Sequence, residues 1–274
     1  MEQKKKRTSL QTRVITAVVA LLIFIPVVIA GGAWIDWLAA ILAAIGMSEV
    51  FLMKKQILVS VDFVLAVLAT LTWTVPDSFF AFLPKNWSKW GVFYAIVMLI
   101  LTWTVLSKNK TTFDDAAVYV LSSLYIGTGF HYLAALRNSS AAHGLWRILF
   151  AFVIIWSTDT FAYLIGRKIG KHKLWPVISP NKTWEGSIGA VICAVILAAV
   201  YVNLAPVGGD KTTLIIGSFF LSIVGQMGDL VESAYKRFYG VKDSGKILPG
   251  HGGILDRFDS TLFVLPIVAL IFGI

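Results

Sequence analysis

Hydrophobic residues run along this chain in long unbroken blocks, not in the alternation of a half-buried strand. Nine such blocks fall near residues 14–31, 34–53, 57–75, 91–107, 114–136, 147–166, 187–205, 212–230 and 260–274. Each except the last, which is marginal, has the ~17–25 residues a helix needs to cross the hydrocarbon of a bilayer. The fifth is the most polar, carrying Asp114, Asp115 and His131. The missing alternation argues against a membrane β-barrel. The pattern therefore predicts an all-α, polytopic transmembrane helix bundle of about nine spans.

Composition agrees: 57% of the 274 residues are hydrophobic and 14% charged, against roughly 25% charged in soluble domains. Lipid is the solvent this balance suits. The run Val14–Ala30 follows Lys4, Lys5, Lys6 and Arg7. It is long enough to span and has no clear cleavage site before a polar start, so it reads as the first helix, not a removed leader. With a cytoplasmic N-terminus, 19 of the 24 Lys and Arg fall on the inside, leaving Lys85, Lys89, Arg137, Arg147 and Lys211 outside. That bias is what the positive-inside rule requires. In a membrane protein, the net charge of +9 points to cytoplasmic loops and anionic substrates; no nucleic-acid partner is expected. The one cysteine, Cys193, lies in an apolar run and can form no intramolecular disulfide.

The chain changes character near residue 147. Residues 1–146 have short, chemically plain loops and form a scaffold half; residues 147–274 carry two polar loops and form the site-bearing half. In the second half, Asp229, Glu232, Ser233, Lys236 and Arg237 recur at helical spacing, placing them on one face. Lys242 and Asp243 follow, then the turn Pro249-Gly-His251-Gly252-Gly253, then Asp256, Arg257 and Asp259. A carboxylate near the centre of a membrane helix costs ~2.5–3.5 kcal/mol on insertion scales. A hard divalent cation would offset that cost, because Mg²⁺ takes one or two carboxylates together with water and substrate phosphates. Intramembrane ion pairs without a ligand are the alternative. Glycines 250, 252 and 253 allow the backbone to approach an anion closely.

The other polar loop, Gly166–Gly186, holds Arg167, Lys168, Lys171, Lys173 and Lys182, with Ser179, Asn181 and Thr183 as further donors. It could grip a triphosphate at the start of the following helix, or it could serve only to fix topology. Its two prolines and interleaved glycines favour a shaped loop. Asp159, inside the sixth block, is a functional candidate by default. Asp36, Glu49 and Asp62 sit near span ends, where solvent or a lysine can reach them; His131, His143 and His172 are given no role. There is no G-x-S-x-G, H-E-x-x-H or Walker A run.

Ser233-Ala-Tyr-Lys236-Arg237, Lys242-Asp243, Pro249-Gly-His251-Gly-Gly and Asp256-Arg257-Phe-Asp259 closely resemble the signature of phosphatidate cytidylyltransferases, or CDP-diacylglycerol synthases. Tyr235 departs from it, where the family usually has an aliphatic residue or Phe. Asp159-Thr-Phe-Ala-Tyr163, Gly166-Arg167 and Ser179–Gly186 also look like the family, so the likeness covers the C-terminal half. The resemblance implies that CTP and phosphatidic acid react to give CDP-diacylglycerol and pyrophosphate. It implies Mg²⁺ as cofactor, surrounding membrane lipids, and a bacterial-type cell (inner) membrane with the site facing the cytoplasm; a homodimer stays open. On this reading Asp229 and Asp256 hold metal, with Asp243 and Asp259 as ligands or supporting groups. Lys236, Arg237, Lys242 and Arg257 steady phosphates. Asp159, Lys171, Lys173, Ser179, Lys182, Thr183, His251, Gly252 and Gly253 contact nucleotide or lipid head group, a division the sequence leaves open. The rival readings are a CTP-dependent lipid-alcohol kinase, which would need a base beside the hydroxyl, and a polyanion transporter, which would need inverted repeats that are not visible.

Overall fold

The computed structural model describes the backbone at residues 2–84 and 87–274, and within those ranges the side chains from residue 11 onward. Lys85 and the side chains of Lys4, Lys5, Lys6 and Arg7, which enter the charge count above, lie outside the described residues. Among the described residues there are nine α-helices: α1 Glu2–Ala30, α2 Ala33–Met53, α3 Val61–Thr74, α4 Lys89–Leu106, α5 Phe113–Asn138, α6 Gly144–Ile169, α7 Trp184–Leu204, α8 Lys211–Phe238 and α9 Leu255–Phe272. Each covers one of the apolar blocks. Six are long and apolar enough to cross a membrane: α1 (over Gln11–Ala30), α2, α4, α6, α7 and α8. Helix α3 is apolar but has 14 residues. Helices α5 and α9 are not among the six; they carry Asp114, Asp115 and Arg137 in one case and Asp256, Arg257 and Asp259 in the other.

Only 6% of the apolar window of α1 and 17% of that of α4 are buried against protein. In water such surfaces would drive aggregation; in lipid they are solvated, and the helix satisfies its own backbone. Helix starts follow local chemistry. Ser60 Oγ accepts from Phe63 N at the start of α3, Ser88 Oγ from Gly91 N at α4, and Asp210 Oδ2 from Thr213 N at α8. Each satisfies one of the N–H groups a helix leaves unpaired at its first turn.

The chain forms two compact units, Met1–Ala134 with Asp243–Arg257, and Ala135–Lys242 with Phe258–Ile274. In the first, Phe51 of α2 stacks on Tyr119 of α5 at 4.5 Å and meets Phe63 of α3 edge-on at 5.1 Å. The same elements share a polar knot. Lys54 pairs with Asp115 at 2.6 Å, while the Tyr119 hydroxyl bonds Gln56 at 2.7 Å and Asp62 at 3.2 Å. Asp62 is thus satisfied by Tyr119 and Thr111, where the sequence pattern suggested solvent or a lysine. The polar start of α5 is explained by the same knot.

In the second unit, α8 turns Gly217, Gly225 and Gly228 toward α9. A Cβ at Gly228 would lie 2.8 Å from the Asp259 carbonyl oxygen, and one at Gly217 would lie 2.9 Å from Ile271. Small residues of this kind let membrane helices approach closely. Thr158 of α6 and Ser222 of α8 share a buried hydrogen bond of 2.8 Å. Between α6 and α7 the chain forms a feature the all-α expectation omitted, an antiparallel hairpin of β1 Lys173–Trp175 and β2 Ser179–Thr183. Two short strands closed by a Trp-Pro-Val turn carry too few apolar positions to show alternation.

In the first unit, helix α5 crosses α3 at Gly127, where an added Cβ would lie 2.7 Å from both the Thr70 carbonyl oxygen and Trp73 Cβ. Gly127→Ala is expected to destabilise the protein by about 1–3 kcal/mol, measured as a lower unfolding temperature in detergent. Gly91→Ala, whose methyl would meet only Ser88 Oγ at 3.8 Å, should leave that temperature unchanged or raise it.

Candidate active site

The second unit contains a cavity of about 600 Å³ enclosed by the end of α6, the β hairpin, the start of α7 and the middle of α8. Its polar lining includes Asp159 and Arg167 from α6, Lys173 and Lys182 from the hairpin, Thr183, and Asp229 from α8. Strand β2 passes directly into α7. Thr183 ends the strand, caps the helix by accepting from Gly186 N at 3.2 Å, and is buried. Trp184 N donates to the His172 carbonyl at 2.9 Å, and Glu185 pairs with His172 Nδ1 at 2.7 Å, closing the base of the hairpin. The helix N-terminus so formed faces a cavity with three cationic side chains, an arrangement suited to an anion.

One ion pair and one charge-to-hydroxyl bond order the lining of this cavity. Lys182 Nζ lies 2.6 Å from Asp229 Oδ2, and Ser233 Oγ donates to Asp229 Oδ1 at 3.3 Å. Arg167 donates to the Tyr163 hydroxyl at 3.1 Å, one turn back on α6. Farther along α8, Lys236 pairs with Glu232, so the predicted polar face of α8 is one continuous helical stripe. Asp229, Asp159 and Lys236 lie close enough to Asp259 for their charges to act on it. No group of three or more His, Cys, Asp or Glu among the described residues is arranged to hold a metal on its own. Mg²⁺ does not require one: one or two carboxylates, water and substrate phosphates complete its shell. The carboxylates of Asp229 and Asp259 offer hard oxygens of that kind.

The signature residues from Asp243 to Arg257 belong to the first unit. Leu248 N bonds the Gly252 carbonyl at 3.0 Å, and His251 N bonds the Leu248 carbonyl at 2.8 Å, folding Pro249–Gly253 into a tight turn. Gly250 and Gly252 adopt φ of +79° and +87°, which L side chains avoid. Asp256 Oδ2 accepts from Ser244 N and Gly253 N at 2.8 Å each and lies 2.9 Å from Ser244 Oγ. Gly252 lies between Asp243 and Asp256: a Cβ there would be 3.4 Å from Asp243 Cβ and 2.5 Å from Asp256 Oδ2. The His251 Nδ1 atom is enclosed without a hydrogen-bond partner among the described residues.

The structure thus groups the sequence candidates in two sets. Asp159, Lys173, Lys182, Thr183 and Asp229 line the cavity, with Asp259 and Lys236 nearby. Lys171 and Lys242 are exposed, Ser179 is opposite Trp175 in the hairpin, and Arg237 bonds the Ile178 carbonyl at 3.4 Å. Asp243, His251, Gly252, Gly253 and Asp256 form the first-unit loop, with Arg257 exposed at its end. Three residues were missed. Gln226 lines the cavity, Ser244 binds Asp256, and Glu49 is not near solvent at all. Glu49 is 2% exposed and accepts from Ile254 N, Leu255 N and Ser244 Oγ at 2.7, 2.8 and 3.0 Å. An acid deep in the apolar run 34–53, well past Asp36 at its start, was the signal that could have found it.

Six helices long and apolar enough to cross a membrane, with a charged cavity in the second unit, describe a polytopic membrane protein. The model of the Cytidylyltransferase family matches residues 11–274. A phosphatidate cytidylyltransferase of Staphylococcus haemolyticus is 45% identical over 262 residues, 96% of this chain and 98% of that protein. The phosphatidate cytidylyltransferase of Bacillus subtilis strain 168 is 44% identical over 257 residues, 94% of this chain and 95% of that protein. The chain belongs to the cytidylyltransferase family.

Gly252→Ala places a methyl against the Asp256 carboxylate in a backbone conformation alanine resists. Deuterium uptake across residues 248–256, read by mass spectrometry, should rise while helical content is retained, with a stability loss of about 1–3 kcal/mol.

Proposed function

We propose that this chain transfers the cytidylyl group of CTP to phosphatidic acid, forming CDP-diacylglycerol and pyrophosphate in a bacterial cell membrane. The observation that carries the reading is its likeness, over 94–96% of its length, to phosphatidate cytidylyltransferases. The cavity of the second unit supports it: Lys173, Lys182 and Arg167 can meet a triphosphate, and α7 opens at its rim. In the reaction, a phosphate oxygen of the lipid attacks the α-phosphorus of CTP. The bond to the oxygen bridging toward the β-phosphate breaks, and pyrophosphate leaves with that electron pair. A phosphate monoester has its second pKa near ~6, so the nucleophile is largely ionised at neutral pH and no side chain has to remove a proton. What remains is charge neutralisation and in-line alignment.

Asp229 and Asp259 are the residues of the second unit that would hold Mg²⁺, which when bound neutralises phosphate charge. In the first unit, Asp256 has Oδ2 held by the backbone N–H groups of Ser244 and Gly253, so any metal bond it makes falls to Oδ1; Asp243 is the other proposed ligand or supporting group there. Lys182 is paired with Asp229 and exchanges that partner for a phosphate oxygen when nucleotide enters. Lys236, Arg237, Lys242 and Arg257 steady phosphates. Asp159, Lys171, Ser179, Thr183, His251 and the Gly252–Gly253 backbone contact nucleotide or head group. Helices α3, α5 and α9 complete nine spans, the N-terminus is cytoplasmic, and the basic hairpin faces the nucleotide pool. Two chains could associate without altering this chemistry.

Purified protein in detergent, given phosphatidate, Mg²⁺ and CTP labelled in the base, should place label in lipid and release pyrophosphate. Label reaching lipid from CTP labelled in the γ-phosphate but not from CTP labelled in the base would mean a kinase, and flux in proteoliposomes without a lipid product would mean a transporter. Asp229→Asn and Asp256→Asn should each lower kcat at least ~100-fold; near-normal rates in both would remove the metal assignment. In a Cys193→Ser background, Lys211→Cys should react with an impermeant thiol reagent on intact cells and Lys108→Cys only after permeabilisation. The reverse pattern would invert the orientation.

A further inference from the structure

Helix α9 begins at Leu255. Its leading backbone N–H groups, which an α-helix cannot pair internally, follow Gly252, Gly253 and Ile254, none of which carries a side-chain oxygen. The acceptor comes from α2, about two hundred residues earlier. Glu49 Oε1 accepts from Ile254 N at 2.7 Å and Oε2 from Leu255 N at 2.8 Å, an anion at the positive end of a helix. Oε2 also accepts from Ser244 Oγ at 3.0 Å, and that hydroxyl lies 2.9 Å from Asp256 Oδ2. Two carboxylates therefore grip the loop, Glu49 through residues 244, 254 and 255, and Asp256 through residues 244 and 253.

Packing fits the same purpose. Gly46, one turn before Glu49 on α2, would place a Cβ 3.1 Å from Leu255 Cδ2. Gly245 would place one 2.7 Å from Glu49 Oε1, and at Gly253 a Cβ would overlap the Glu49 carboxylate. Each glycine leaves room for the side chain that the loop encloses.

We propose that Glu49 is a positioning residue for cytidylyl transfer, an interhelical cap that sets the start of α9 and so the orientation of Asp256, with Ser244 relaying its hold. Glu49 touches no reacting atom. The inference rests on the reading of the Asp243–Asp256 loop as part of the transferase machinery.

The test compares full-length wild type, Glu49→Gln and Ser244→Ala in detergent by kcat, KM for CTP, unfolding temperature and deuterium exchange. Glu49→Gln keeps the side chain's size but turns an amide N–H₂ toward backbone N–H donors. It should lower kcat at least tenfold, leave KM for CTP within about threefold, and raise exchange at residues 244–256. Ser244→Ala, which keeps both backbone caps and so preserves folding, should lower kcat severalfold and raise exchange over the same stretch. A residue needed only for folding would lower yield and unfolding temperature and leave kcat per folded molecule unchanged. Wild-type kcat in both variants, or wild-type exchange at residues 254 and 255 in Glu49→Gln, overturns the proposal. If wild type itself forms no lipid product, the transferase reading fails, and exchange alone then decides whether Glu49 caps α9.

Discussion

A polar group that leaves water for lipid must find its partners within the protein, and this constraint orders the whole chain. Helices meet it for the backbone. For side chains the answer is local and specific in each unit. Lys54, Gln56, Asp62, Asp115 and Tyr119 knot together α2, α3 and α5. Asp229 meets Lys182, and Lys236 meets Glu232. The most demanding case is Glu49, a carboxylate enclosed in an apolar helix that is satisfied only by backbone N–H groups and a hydroxyl from a loop far along the chain.

The family signature is distributed over both compact units, although it is nearly continuous in sequence. Ser233, Lys236 and Asp259 lie in the second unit, while Asp243, His251 and Asp256 lie in a loop that folds with the N-terminal helices. A division of the chain into a plain half and a chemical half is therefore natural to the sequence, whereas three-dimensional packing gives the N-terminal helices a direct hold on the signature loop through Glu49.

Much of this was legible beforehand. Apolar run length is a strong signal because a bilayer fixes how long a span must be, and each of the nine blocks became one helix. The grouping of Asp229, Ser233, Glu232 and Lys236 followed from helical spacing alone and is realised on α8. The hairpin at Lys173–Thr183 was not legible, because two short polar strands have no hydrophobic period, and their pairing depends on a turn. Glu49 was misread for a different reason. Position near a span end suggested solvent, and nothing local announces that the partner is a helix start two hundred residues later. The pairing of Lys182 with Asp229, at a separation of more than forty residues, is hidden in the same way.

That Lys182–Asp229 contact has an energetic consequence on the proposed reading. The cavity holds its own counter-ion: the lysine occupies the carboxylate a cation would use, and the carboxylate occupies the lysine a phosphate would use. A divalent ion alone strands the ammonium, and a nucleotide alone strands the acid. Arriving together they relieve both, so each tightens the other's binding by the same free energy, as linkage demands. On that reading, cooperative loading of this kind would let the cavity stay quiet toward lone ions and lone phosphates while accepting the metal–nucleotide complex.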